Sequence, residues 1–222
     1  CPLRCQFCHN PDTWNMTDKN GAIWRSADEL LAQALRYRTY WKNGGGITVS
    51  GGEPLLQIDF LLDLFKKANA KGIHTTIDTA GGPFTIEEPF FSKFQELMQY
   101  TDLLLVDIKH IDEKAHKELT GKTNKNILDM IRFLSDIKKP VWIRHVLVPE
   151  RSDYDEYLNR LNDFIQTLDN VERVEILPYH TLGAYKWKEL GLDYPLEGIN
   201  PPSRERVENA NRILETAKYL KK

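Results

Sequence analysis

Cys1, Cys5 and Cys8 are the only three cysteines among 222 residues, and all of them fall within the first eight. An odd number excludes a fully paired disulfide framework, and a chain of this length builds a core without covalent staples. What remains is a metal site, a redox pair with a spare thiol, or chance. Cys5-x-x-Cys8 alone suits zinc, a dithiol or iron–sulfur. Structural zinc takes a closed set of ligands, usually as two separated pairs, and no second Cys-x-x-Cys follows. His9 is a weak extra donor, because a residue seldom folds back onto the metal held by its predecessor. Iron–sulfur cubanes are usually held by a full set of cysteine thiolates. A cubane held by Cys1, Cys5 and Cys8 alone leaves one iron open to another ligand.

Such a loop needs a frame. Residues 10–25 are polar and rich in turn formers, so a loop follows the cysteines. Ser26-Ala27-Asp28-Glu29 reads as a capping box. It opens a helix with Leu30, Leu31, Ala34, Leu35 and Trp41 at helical spacing, stopped by Gly44-Gly45-Gly46. Ile47–Val49 is a short strand and Ser50-Gly51-Gly52-Glu53-Pro54 the turn after it. A helix near 59–71 ends at Gly72. Then come a strand His74–Thr79, a Gly-Gly-Pro loop, an aromatic-rich helix and a strand Asp102–Lys109. Helical stretches near 112–119 and 125–138 follow, the first closed by Gly121, and then a strand Val141–Val148. Ser152 opens a helix to Leu168, and Val171–Leu177 is the last strand. An irregular aromatic segment runs to Asn200, and Pro201-Pro202-Ser203 introduces a terminal helix to Leu220. Strands alternating with helices are βα units, which build an α/β fold with a parallel sheet and right-handed crossovers.

In such folds ligands collect at the carboxyl ends of the strands, where loops vary on a rigid frame. Ser50 to Glu53, Asp78 and Thr79, Asp107 and Lys109, and His180 all fall at such ends, so distant parts of the chain face one mouth. Each also has a plainer explanation. Gly51-Gly52 is a tight turn on its own, but with Glu53 beside it the exposed backbone and carboxylate suit a ligand ammonium. Asp78 and Asp107 serve as strand-end caps or hold a cation together. Lys109 is either solvated or a counter-charge to a carboxylate ligand. Arg144, inside a strand, needs an acidic partner or a place in the mouth, and His145 on the opposite pleat reads as structural. Tyr185-Lys186-Trp187 reads as packing first and as a protein-docking segment second.

Composition narrows the classes. With 41% hydrophobic and 28% charged residues, net charge −2 and pI near 6.3, residues 1–222 read as one ordinary globular domain. Lys and Arg are dispersed, which argues against nucleic acid as the main partner. No apolar run spans a membrane and no signal segment opens the chain, so the cytoplasm is expected, in agreement with reduced thiols. The chain starts at Cys1 without a methionine, so truncation at the N-terminus is expected.

Cys-x3-Cys-x-aromatic-Cys resembles the signature of the radical S-adenosylmethionine (radical SAM) enzymes, and Cys8-His9-Asn10-Pro11-Asp12-Thr13-Trp14 resembles their glycyl-radical-enzyme activases. The likeness continues through Gly44-Gly45-Gly46, Ser50-Gly51-Gly52-Glu53, Asp107-Ile108-Lys109, Trp142-Ile143-Arg144 and Leu177-Pro178-Tyr179-His180-x2-Gly183. It implies a partial (β/α)6 barrel whose first strand precedes Cys1 and is missing here. It implies a [4Fe-4S] cluster on Cys1, Cys5 and Cys8, with S-adenosylmethionine held by Phe7, Cys8, His9, Gly51, Gly52, Glu53, Asp107, Ile108, Lys109 and His180. A Na+ or K+ ion on Asp78, Thr79, the backbone of Leu105 and Asp107 is implied as well. No side chain then acts as nucleophile or base: a 5′-deoxyadenosyl radical takes hydrogen from a glycine of a glycyl radical enzyme. The short cysteine-free stretch from Trp14 to Gly44 points to the pyruvate formate-lyase type. Flavodoxin or ferredoxin is the implied electron donor, and a monomer is expected. Two readings from other classes stand beside this one, a non-catalytic zinc or iron interaction module and a thiol–disulfide enzyme using Cys5 and Cys8.

Overall fold

The structure, a computed structural model, describes residues 1–15, 22–41 and 44–220. Its frame is one sheet of five strands: β1 (Gly46–Val49), β2 (His74–Thr79), β3 (Leu103–Asp107), β4 (Val141–Leu147) and β5 (Val171–Pro178). They lie side by side in chain order and every pairing is parallel. Parallel neighbours need a long crossover. Helices α1 (Ala27–Leu35), α2 (Ile58–Asn69), α3 (Phe90–Gln99), α4 (Glu113–Thr120), α5 (Lys125–Asp136), α6 (Asp155–Gln166), α7 (Ala184–Glu189) and α8 (Arg204–Ile213) supply the connections and flanks. This is the expected α/β partial barrel.

Register decides which side chains meet. Asp78 lies opposite Leu105, and Asp107 opposite Arg144, so the polar ends of β2, β3 and β4 line up at one edge. In β4, Val141, Ile143, His145 and Leu147 are buried while Trp142, Arg144 and Val146 are half-buried. A period of two puts alternate residues on opposite faces, so Arg144 turns away from the face that His145 shares. His145 is structural, with Nδ1 2.8 Å from the carbonyl of Ile108 and Nε2 3.0 Å from that of Ser152.

The main core lies between the sheet and helices, where Leu61, Leu64 and Phe65 of α2 meet Ile77, Leu104 and Ile143. A second cluster joins Leu3, Cys5 and Phe7 to Ala80, Leu119, Val148 and Tyr179. Burying Leu3 and Phe7 contributes about 1.5–3 kcal/mol each, which holds the cysteine loop over the strand ends. The amides of Arg4 and Gln6 donate to the carbonyls of Thr120 and Leu119, at 2.7 and 3.0 Å, and tie the loop to the end of α4. That end is closed by Gly121 at φ 76°, a left-handed cap that favours glycine.

Several boundaries differ from expectation. The Ser26–Glu29 capping box forms, but α1 stops at Leu35, well before Gly44. Residues 36–40 are all exposed and have no apolar stripe to bury, so a short 3-10 turn, Arg38–Tyr40, replaces the helix. Ser152 does not open α6. It is fully buried, its hydroxyl donating to the carbonyl of Val146 and accepting from the amide of Val148, and α6 begins at Asp155. The segment read as irregular contains α7, and the terminal helix breaks after Ile213 at Glu215, whose φ is 50°. Within the expected loop 10–25, Pro11–Trp14 form a 3-10 turn, and 16–21 lie outside the described residues.

Candidate active site

The strand ends and the cysteine loop enclose a cavity of about 590 Å³. Cys1, Cys5 and Cys8 of the loop line it together with Asp78, Asp107, Lys109 and Arg144 at or near the strand ends. Ser50, Gly51 and Gly52 reach it from the turn after β1, and His9 and His180 close its rim. Gly52 is required where it stands: a Cβ there would lie 2.9 Å from both Cys1 Cβ and Thr13 Cβ.

The three thiols are free. Burial pushes the Cys5 thiol up to about 11 against the nearby Lys109 ammonium, and burial also raises Cys8. Thiols this reluctant to ionise make poor nucleophiles, which weighs against a thiol–disulfide enzyme. A metal displaces the proton, because it is the thiolate that binds. Among the described residues, no three His, Cys, Asp or Glu side chains gather around a single ion. Cys1, Cys5 and Cys8 all line the one cavity, and in a cluster each thiolate takes a different iron.

The same cavity holds a charge network. Lys109 Nζ is 2.7 Å from Asp107 Oδ2, and Arg144 Nε is 3.0 Å from Asp107 Oδ1. The other end of the Arg144 guanidinium binds Asp78 through both nitrogens, Nη1 donating to Oδ2 at 3.1 Å and Nη2 to Oδ1. Lys109 Nζ also lies over the Phe7 ring, 5.5 Å from its centroid. Burial alone would raise the Asp107 carboxyl, yet Lys109 and Arg144 outweigh it and hold the group below its usual range. Burial likewise favours neutral Lys109, and the Asp107 carboxylate overcomes it and holds the ammonium charged.

The expected site residues are only partly brought together. Phe7, Cys8, His9, Gly51, Gly52, Asp107, Lys109 and His180 surround the cavity; Glu53 and Ile108 do not line it. Glu53 is turned inward and 5% exposed: Oε1 accepts from the Thr79 hydroxyl at 2.5 Å and the Leu55 amide at 3.1 Å, and Oε2 from the Ala80 amide at 3.1 Å. Its carboxylate ties the turn after β1 to the end of β2. Ile108 keeps its side chain in the core, its amide donating to Arg144 and its carbonyl facing His145. The proposed cation ligands are engaged by the protein. Arg144 joins Asp78 to Asp107, and the Thr79 hydroxyl both donates to Glu53 and accepts from the Gly81 amide. Leu105 stays within the β3 ladder.

Sequence reasoning missed the support behind the cysteine loop. Trp187 Nε1 donates to the Cys8 carbonyl at 2.8 Å, Lys186 Nζ to Asn10 Oδ1 at 2.6 Å, and the Trp14 ring stands edge-on to Trp187 at 4.9 Å. A Cβ on Gly183 would lie 2.6 Å from His9 Cα, so the start of α7 presses on the loop. The His9 and His180 rings lie 4.2 Å apart at the rim. A Gly-x3-Trp spacing was the available signal, but nothing local says that it touches Cys8.

The family model of the radical SAM superfamily matches residues 1–165. The pyruvate formate-lyase-activating enzyme of Listeria monocytogenes serovar 1/2a is 53% identical over 220 residues, covering 99% of this chain and 88% of that protein. The one from Streptococcus mutans is 53% identical over 219 residues, covering 99% and 83%. Among solved structures, a domain of a pyruvate-formate lyase-activating enzyme from Bacteroides vulgatus superposes with TM-score 0.63 at 28% identity, covering 79% of this chain and 95% of that one. Streptococcus suis SuiB bound to its precursor peptide gives TM-score 0.69 at 18% identity over 98% of this chain and 44% of that one, a likeness of fold alone.

Proposed function

The chain belongs to the radical SAM superfamily, and from that membership we propose that it activates a glycyl radical enzyme of the pyruvate formate-lyase kind. One observation carries the reading: three free cysteines line the same cavity as the Asp107–Lys109 and Arg144–Asp78 pairs. Cys1, Cys5 and Cys8 would hold a [4Fe-4S] cluster, which would supply an open iron and pass on one electron from an external donor for reductive cleavage of S-adenosylmethionine to methionine and the 5′-deoxyadenosyl radical that would take hydrogen from a glycine of the partner.

The chain's own groups bind and orient. Lys109 and Arg144 offer positive charge to the methionyl carboxylate, and Asp107 and Asp78 offer negative charge to the ammonium. Gly51 and Gly52 leave backbone uncovered beside Cys1. His9 and His180 flank the adenosyl group at the rim, while Leu3 and Val146 keep water from the interior. Glu53 acts through the fold, by fixing the turn that carries Gly52. A Na+ or K+ ion at Asp78, Thr79, Leu105 and Asp107 requires Arg144 to withdraw from both carboxylates first. We read residues 1–222 as one catalytic domain acting as a monomer, with flavodoxin or ferredoxin delivering the electron. No helix among the described residues is long and apolar enough to cross a membrane.

Anaerobic reconstitution tests this reading. The expected result is about four irons per chain, 5′-deoxyadenosine on reduction in the presence of S-adenosylmethionine, and a glycyl radical detected by paramagnetic resonance after mixing with pyruvate formate-lyase. Cys5→Ala loses all three. Stoichiometric zinc without nucleoside product would overturn it in favour of a metal-binding interaction module.

A further inference from the structure

Leu56, Ile86, Ile137 and Tyr154 are exposed singly and need no explanation. Exposed apolar side chains gather at Ile23 with Trp24, at Tyr37 with Tyr40, and around α7, and the last of these groups follows His180 of the reactive cavity. Leu182, Tyr185, Leu190 and Leu192 are all exposed within a short segment around α7, Leu182 at 77% and Tyr185 at 58%. Beside them runs a groove of about 650 Å³ lined by Thr181, Tyr185, Lys188, Leu192, Tyr194 and Glu197. Thr181 directly follows His180, so the groove and the reactive cavity are lined by neighbouring residues.

The groove is firmly built. Trp187 is buried, bonded to the Cys8 carbonyl, and its ring meets that of Tyr194 at 5.3 Å. The Tyr194 hydroxyl pairs with that of Tyr179 at 2.8 Å, and the Leu192 amide donates to the Trp187 carbonyl at 2.8 Å. The same short helix therefore backs the cysteine loop on one side and presents apolar side chains on the other.

We infer that this groove and its apolar ridge are the docking face for the body of the protein substrate, which seats an apolar side chain there while its glycine segment enters the cavity. The inference rests on the activity proposed above. A reacting atom in another protein's backbone brings a folded partner against the rim, and the exposed apolar side chains around α7 begin two residues after His180 on that rim. The lining mixes Tyr185, Leu192 and Leu196 with Lys188, Asp193 and Glu197, a mixture of apolar and polar side chains such as protein interfaces carry. An anionic lipid surface would call for an excess of basic residues instead.

The test uses the full, cluster-loaded chain with pyruvate formate-lyase as the probe partner. Tyr185→Ser and Leu192→Asp should each raise the partner concentration for half-maximal glycyl radical formation by about tenfold or more, the scale of an interface anchor. Partner-free formation of 5′-deoxyadenosine should stay at the unmodified level, as should turnover of a short peptide carrying the reactive glycine. Ile86→Asp, away from the groove, should change nothing, and thermal melts should show all variants folded. Unchanged saturation by the partner in both groove variants overturns the proposal. So does an equal loss of partner-free cleavage, or a change in oligomeric state with radical formation intact, which would make this face a contact between two copies of the chain. Absence of any glycyl radical with the unmodified chain would remove the activity itself, and the docking face with it.

Discussion

Glu53 and Asp107 sit at strand ends around one mouth, both are largely withdrawn from water, and their charges are pushed in opposite directions. Burial lifts the Glu53 carboxyl above its usual range, against three neutral donors, the Thr79 hydroxyl and the amides of Leu55 and Ala80. Burial pushes Asp107 the same way, but Lys109 and Arg144 reverse it. Neutral donors satisfy lone pairs; only cations offset the lost hydration of a charge. Glu29 isolates the cause. It accepts from the amide and hydroxyl of Ser26, donors of the same neutral kind, but in full exposure, and its carboxyl is held below the usual range. Burial is therefore what separates Glu53 from Glu29, and the cations are what separate Asp107 from Glu53. The consequence is a division of labour: Glu53 fastens one strand end to the next, and Asp107 organises the charges that face the cavity.

The comparison breaks most visibly at Arg144. Arg144→Met leaves Asp78 and Asp107 with Lys109 as the nearest counter-charge, and stability in chemical denaturation should fall by about 3–5 kcal/mol. A loss no larger than that of Thr79→Val would show that the cations matter no more than the hydroxyl. His110 extends the contrast to a base. It is 1% exposed, and burial first, then His145, lowers its ring to about 4 from an ordinary 6.5. The unfolded chain takes up that proton below 6.5 while the folded chain refuses it until about 4. Stability from this group is thus complete above 6.5 and declines as pH falls toward 4, by at most about 3 kcal/mol. His110→Phe should flatten that part of the stability–pH curve relative to the unmodified chain. Thr79→Val removes a donor to Glu53 and the acceptor of the Gly81 amide, and should cost about 1–3 kcal/mol by the same denaturation measurement. Smallest is Ser26→Ala, which opens the surface capping box for about 1 kcal/mol and should leave S-adenosylmethionine cleavage unaltered.

Much of the frame was legible because strand pattern is local. His74–Thr79 appears as β2 with the expected ends, and five strands form one parallel sheet in chain order. Helix ends were less legible, because they depend on what is available to pack against. Nothing in Arg36 to Tyr40 forbids a helix, but no partner surface covers it. Ser152 has the chemistry of a helix cap, yet its hydroxyl was needed to close the turn after β4. At the site, the cysteines and the polar strand ends declared themselves through residue type and position. The partners of Glu53 were not legible, because a carboxylate after Gly-Gly looks the same in sequence whatever it faces, and its bonds to Thr79 and Ala80 depend on the neighbouring strand. The pairing of Arg144 with Asp78 and Asp107 needed the register of three strands, and the contact of Trp187 with Cys8 spans nearly the whole chain.

By itself, then, the sequence determined that its three cysteines, Cys1, Cys5 and Cys8, fall within eight residues, and a βα alternation that sends acidic, basic and glycine residues to one end of a sheet. Residue type and local periodicity suffice for those. Only the tertiary structure decided which of the gathered charges face the cavity, that Glu53 is spent inside the fold, and that α7 braces the cysteine loop. Those outcomes depend on register, burial and the competition among neighbours for each hydrogen bond, none of which is a property of a residue and its near neighbours in the chain.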